Sequence, residues 1–121
     1  MKIYVSHAAS FDYKKELYEP IKNSRLYNLY DFSFPHEGNE LLDAREIIKK
    51  SNLVLAEVSF PSTGQGIELG WANLLKIPIV CISKRASKVS ASLKCVTGDF
   101  IEYTDLTDLI DRLTNFLKAP H

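Results

Sequence analysis

The sequence predicts one α/β domain over residues 1–121, a Rossmann-like or flavodoxin-like fold with a five-stranded parallel sheet flanked by helices. Three observations predict it. Short apolar runs such as "LVLAEV" and "PIVCIS" have the continuous pattern of strands buried on both faces of a parallel sheet. Segments with helical spacing lie between these runs, and end-to-end alternation of strand and helix calls for right-handed crossovers. With 121 residues, 45% of them apolar, the chain can bury a real core, and no linker, repeat or low-complexity tract divides it.

Each element has its own justification. "KIYVS" (2–6) is a short buried strand. Residues 11–24 carry Leu17, Tyr18 and Ile21 along one side of a helix, with Pro20 kinking or fraying its last turn. "LYNLYDFSF" (26–34) alternates as a second strand. "ELLDAREIIKKS" (40–51) spaces Leu41, Leu42, Ile47 and Ile48 for one helical face. "LVLAEV" (53–58) is the third strand, "GIELGWANLLK" (66–76) a helix, and "PIVCIS" (78–83) the fourth strand. Residues 87–96 form a short helix or turn and 100–103 the last strand. Over 104–118, Thr104 or Asp105 caps a terminal helix whose buried stripe is Leu106, Ile110, Leu113 and Leu117.

Composition narrows the function classes. Lys plus Arg number 15 and Asp plus Glu number 15, so the formal net charge is zero. That leaves no electrostatic footprint for a nucleic acid polymer or an anionic membrane. Cys81, within "IPIVCIS", is a core residue, and with Cys95 it makes no metal-ligand spacing. His7, His36 and His121 are scattered, so neither a zinc site nor another cofactor is expected. The start of the chain shows no signal peptide and no stretch long enough to span a bilayer, which makes the cytoplasm the expected compartment.

In such folds a ligand sits beyond the carboxyl ends of the strands, near the reversal of strand order. One of these ends carries "AEVSFPSTGQGIELGW" (56–71). Gly64 and Gly66 would allow positive φ and close approach of a ligand. Ser62, Thr63 and the helix N–H groups would face something anionic. The loop matches neither the P-loop nor the dinucleotide fingerprint, and a plain strand-to-helix turn has the same composition. Glu68 changes the balance. Placed in the first helical turn it complements the helix dipole, but it also stands at the rim of the site. An ionised carboxylate there suits attack on an anomeric carbon, because N-glycoside cleavage passes through an oxocarbenium-like state.

The stretch "SNLVLAEVSFPSTGQGIELGWANLLKIPIVCI" resembles the nucleoside 2-deoxyribosyltransferase superfamily, and most of all its 2'-deoxynucleoside 5'-monophosphate N-glycosidase branch. Ser62, Gly64, Gly66, Glu68, Leu69, Gly70 and Ala72 fall in register with that pattern. The resemblance implies that Glu68 is the nucleophile, that Tyr4 lies beside it, and that Ser62 contacts a 5'-phosphate. It implies that Asp43, one residue out of ungapped register, positions the ribose or protonates the base. It also implies a homodimer or larger oligomer, in which Ser90 and Ser92 help complete a neighbour's phosphate site. Where that branch has Gly-Ser-Ile-Arg after the first strand, this chain has "SHAASFD". His7, Ser10, Lys84 and Lys88 are the candidates to replace the missing charge. Glu57 is read as structural, Trp71 as buried in a helix or subunit contact, and His36 as a loop residue.

Three other readings stay open. Base exchange on free nucleosides would use the same Glu68. A TIR-like domain, suggested by "IYVSHAASFDYKKELYEPI", would turn that Glu68 on NAD. A non-catalytic nucleotide sensor would keep the pocket without the chemistry.

Overall fold

The computed structural model describes residues 1–36 and 43–119. Strand β1 (Lys2–His7) leads into a π-helical turn, Lys14–Tyr18, that continues as α1 (Glu19–Lys22) and is followed by α2 (Leu26–Leu29). Next come β2 (Asp31–Ser33), α3 (Ala44–Lys49), β3 (Leu53–Glu57) and α4 (Thr63–Leu74). The chain then forms β4 (Ile79–Lys84), a 3₁₀ helix (Ala91–Cys95), β5 (Asp99–Tyr103) and α5 (Leu106–Lys118).

All neighbouring strands pair in parallel in the order β2-β1-β3-β4-β5. This is the flavodoxin-like order, whose switch point lies between β1 and β3. Alternation along each strand divides the core. Ile3, Val5, Leu55, Val80, Ile82 and Tyr103 face Leu17 of the π-helical turn, Ile21 of α1, and Leu109 and Leu113 of α5. Tyr4, Val54, Ala56 and Cys81 face Ile48, Leu69 and Ala72 of α3 and α4. Helices therefore cover both sides, which is why these strands read as continuous apolar runs.

The structure corrects several expectations. Residues 26–34 are not one strand: the Ser24 hydroxyl accepts the Leu26 N–H and starts a helical turn that buries Leu26, leaving only three strand residues. The π turn ahead of Pro20 replaces a kink at the helix end; Pro20 sits at the start of α1, where its missing N–H costs little. Asp105 caps α5 by accepting the Asp108 N–H at 2.8 Å. The buried stripe of that helix is Leu109, Leu113 and Leu117, while Leu106 is exposed. The helix expected over 40–51 is seen as α3; Leu41 and Leu42 lie outside the described residues. No helix among the described residues is long and apolar enough to cross a membrane.

Candidate active site

The site forms where β1 and β3 end side by side, with His7 in register with Glu57 and Ser6 with Ala56. Tyr4 and Ser6, two residues apart, point to the same side of the sheet, toward α4. The Tyr4 hydroxyl donates to Glu68 Oε2 at 2.7 Å and the Ser6 hydroxyl to Oε1 at 2.8 Å. Both donors are fully buried, and Glu68 is half-buried. Burial, and then the neighbouring Glu68 charge and its hydrogen bond, push the Tyr4 pKa well above the usual phenol value, so Tyr4 stays a neutral donor.

Helix α4 is seated by Gln65. Its buried side-chain N–H₂ donates to the carbonyl of Ser6 at 3.1 Å and of Glu57 at 2.8 Å, spanning the ends of two adjacent strands. Ser62 is the N-cap, its hydroxyl accepting the Gln65 N–H at 3.2 Å. Capping starts α4 at Thr63, three residues earlier than the glycine pattern suggests. Glu68 therefore lies in the second turn and is held by hydroxyls from β1 rather than by helix N–H groups. Gly64 and Gly66 are helical, with no positive φ, and a Cβ on either would meet nothing within 4 Å. They leave the outer surface of the first turn open and play no part in a strained turn.

Aromatic side chains gather at the same strand ends on the opposite face of the sheet. Phe11, from the loop after β1, stacks on Phe60, from the loop after β3, with centroids 4.9 Å apart. The Lys84 ammonium lies 5.3 Å from the Phe60 centroid and 5.8 Å from that of Phe11, and pairs with Glu16 at 2.6 Å. His7 stacks on Tyr13 at 4.4 Å. Its Nδ1–H donates to the Ala8 carbonyl at 2.7 Å, which leaves Nε2 to accept from the Tyr18 hydroxyl at 2.5 Å. Tyr18 in turn accepts the His36 N–H at 3.2 Å. Both His7 ring nitrogens are thus committed within the fold, so His7 has none to offer an anion. Burial, followed by the nearby His36, lowers its pKa despite the opposing Ala8 bond.

This has a measurable consequence. A histidine whose folded pKa lies below the unfolded value of about 6.5 takes up its proton more readily when unfolded. Stability from His7 is fully present above about pH 6.5 and falls as pH drops toward the lower folded value. Urea midpoints should fall over that range, and His7→Phe should flatten the slope.

The remaining candidates fall in different places. Ser10 is exposed in the loop after β1. Asp43 is the exposed N-cap of α3, accepting the Glu46 N–H. Ser90 and Ser92 are exposed and hydrogen-bond to each other at 2.8 Å, just before and within the 3₁₀ helix. Lys88 is exposed nearby. Trp71 is half-buried, with the Arg45 guanidinium 5.9 Å from its ring centroid. Glu57 is 1% exposed on the sheet face opposite Glu68, accepting the Ser59 N–H at 2.6 Å and the Tyr103 hydroxyl. Ser6 and Gln65 are the residues that sequence reading missed. Their one visible signal is a polar residue inside an apolar strand and another inside a glycine-rich turn.

No family model matches the sequence. The chain is similar to a putative 2'-deoxynucleoside 5'-phosphate N-hydrolase 1 of Thermofilum pendens, 28% identical over 60% of this chain and 54% of that one. Relatives with the same name in Methanosarcina barkeri and Methanosarcina mazei are each 32% identical over 60% of this chain, covering 48% and 47% of their own lengths. The chain thus spans about half the length of the curated relatives it matches. A solved structure of a CMP N-glycosidase, BcmB, from Clostridium botulinum superposes with a TM-score of 0.69 at 18% identity, over 94% of this chain and 99% of that one. That likeness shows the fold.

Proposed function

We propose that the protein cleaves the N-glycosidic bond of a nucleoside or 2'-deoxynucleoside 5'-monophosphate, releasing free base and sugar phosphate. The observation that carries this reading is the Glu68 carboxylate, half-exposed at the switch point and gripped on each oxygen by a separate buried hydroxyl. The names of the sequence relatives support the substrate class.

The reaction runs in two halves. A Glu68 oxygen attacks C1' of the sugar; the C1'–N bond breaks, and its electron pair leaves on the base, which takes up a proton. Water then attacks C1' and gives up a proton to solvent, the bond to Glu68 breaks, and the electron pair returns to the carboxylate. Asp43 is the proposed group for positioning the ribose or protonating the base. The first turn of α4, with Ser62, Gly64 and Gly66, is proposed to face the phosphate, with Ser10 contributing from the loop after β1.

A second copy of the chain is proposed to complete the site through Ser90 and Ser92. Ile67 and Leu74 are exposed on α4, flanking the half-buried Trp71 at helical spacing, a stripe suited to burial against another subunit. With no electrostatic footprint for polymers, the substrate is a small molecule, and the enzyme acts in the cytoplasm.

Base release followed by chromatography tests the reading. Monophosphates should yield free base, and Glu68→Ala should not. Base exchange between free nucleosides without net hydrolysis would make the protein a transferase, and nicotinamide release from NAD would favour the TIR-like reading. No turnover of any of these would remove the enzymatic assignment.

A further inference from the structure

We propose that Ser6 sets the balance between the two halves of the reaction, chiefly by making the Glu68 carboxylate a better leaving group when the sugar departs. The inference rests on Glu68 being the nucleophile and adds a role for a residue outside the recognised motif.

The placement of Ser6 is fully determined. The residue is completely buried on β1, in register with Ala56 of β3. Its carbonyl accepts from Gln65, which also holds the Glu57 carbonyl, so its backbone is tied to the helix that bears Glu68. Its hydroxyl has a single proton to give, and gives it to Glu68 Oε1 at 2.8 Å. Tyr4 serves Oε2. The carboxylate thus meets one neutral donor at each oxygen, and each oxygen keeps a lone pair for C1' or for a further hydrogen bond.

Such donors act unequally on the two halves. In the free enzyme Glu68 is a carboxylate, and a hydrogen bond to a charged acceptor is roughly twice as strong as one to a neutral acceptor. When Glu68 bonds to C1' it becomes a neutral ester, and the Ser6 bond weakens. When water displaces the sugar, the charge returns to the carboxylate and the bond regains its strength. A donor at Oε1 therefore restrains the first step slightly and favours the second. Tyr4 contributes in the same sense, but its phenol also packs in the core beside Val54 and Leu69, so its loss would mix packing with chemistry. Ser6→Ala removes a single oxygen from a small buried residue, and the freed Glu68 oxygen can bind water at the crevice.

Rapid-quench mass spectrometry of a single turnover, using a monophosphate that the wild type hydrolyses, gives both rate constants from the rise and decay of the sugar phosphate adduct on Glu68. For Ser6→Ala we expect decay of the adduct slowed by roughly 10-fold or more, the scale of one hydrogen bond to a charged group. Its formation should be unchanged or faster, and adduct should accumulate at steady state. Ser6→Cys, near in size and a weak donor, should fall between the two, and unfolding midpoints in urea should stay close to wild type. A purely structural role would slow both steps together without added adduct, and that result overturns the proposal, as does an unchanged decay rate. Loss of base release in Glu68→Ala with normal decay in Ser6→Ala would sink this inference alone. A wild-type protein that releases no base from any nucleotide would sink it together with the function it rests on.

Discussion

Glu68→Ala should lower the rate of base release by roughly 10⁴- to 10⁶-fold, the scale on which loss of a covalent nucleophile acts. The geometry makes the loss specific. Tyr4 and Ser6 would keep their places on β1, where strand pairing and burial fix them, but their hydroxyls would face the crevice with no carboxylate to bind. Substrate would still meet the first turn of α4, because Ser62 caps that helix independently of Glu68. Binding of the intact monophosphate, measured by calorimetry, should therefore change far less than turnover. A loss of affinity as large as the loss of rate would mean that Glu68 is a binding residue and that the chemistry lies elsewhere. Glu68→Gln keeps the shape and an acceptor oxygen while removing the charge, and should be nearly as inactive as the alanine variant.

Glu57→Ala should be the most damaging single change to stability among the polar residues of the site, by about 2–4 kcal/mol. The residue is 1% exposed, and its carboxyl group joins β5, through the Tyr103 hydroxyl, to the turn after β3, through the Ser59 N–H. Ser59 in turn accepts the Lys84 N–H at 2.7 Å, so the same cluster includes the end of β4. Burial first, and then the contact with Glu57, raise the Tyr103 pKa, so this tyrosine remains protonated and needs an acceptor. Alanine at position 57 would leave both donors buried without that partner. Glu57→Gln keeps one acceptor oxygen, which can still serve the Ser59 N–H, while its N–H₂ cannot accept from Tyr103, so it should cost less than alanine but more than nothing. Urea denaturation of the two variants at pH 7 separates these cases. Equal midpoints for alanine and glutamine would show that the cluster contributes packing and little hydrogen bonding.

The parallel sheet was legible because burial on both faces writes itself into the chain as unbroken apolar runs at β3 and β4. Glu68 was legible because it stands in a compact motif with Ser62 and the glycines. What escaped was set by contacts between residues far apart in sequence. The bonds from Ser6 to Glu68 and from Gln65 to the Ser6 carbonyl join residues 62 and 59 positions apart, and no local pattern encodes them. The reading of Ser62 as a ligand contact hid its capping role, and with it the true start of α4. At residues 26–29 the apolar side chains satisfied a strand pattern as well as a helical one, and the Ser24 hydroxyl decided between them. His7 lies at the end of a strand, where a ligand contact is a natural expectation, yet the rings of Tyr13 and Tyr18 enclose it.

The glycines of α4 have a further consequence. Helical glycine is less stable than alanine by up to about 1 kcal/mol, and at Gly64 and Gly66 no steric contact within the fold excludes a methyl group. The opening turn of α4 is therefore intrinsically softer than its later turns, where Leu69 and Ala72 are buried. Softness at one end of a helix usually shows as fraying. Here fraying is opposed from below by the Gln65 amide, fastened to two strand ends at once. Local opening of this turn is thus governed by two side chains, the Ser62 cap and the Gln65 amide, and the segment from Ser62 to Gly66 moves or stays still according to whether they hold.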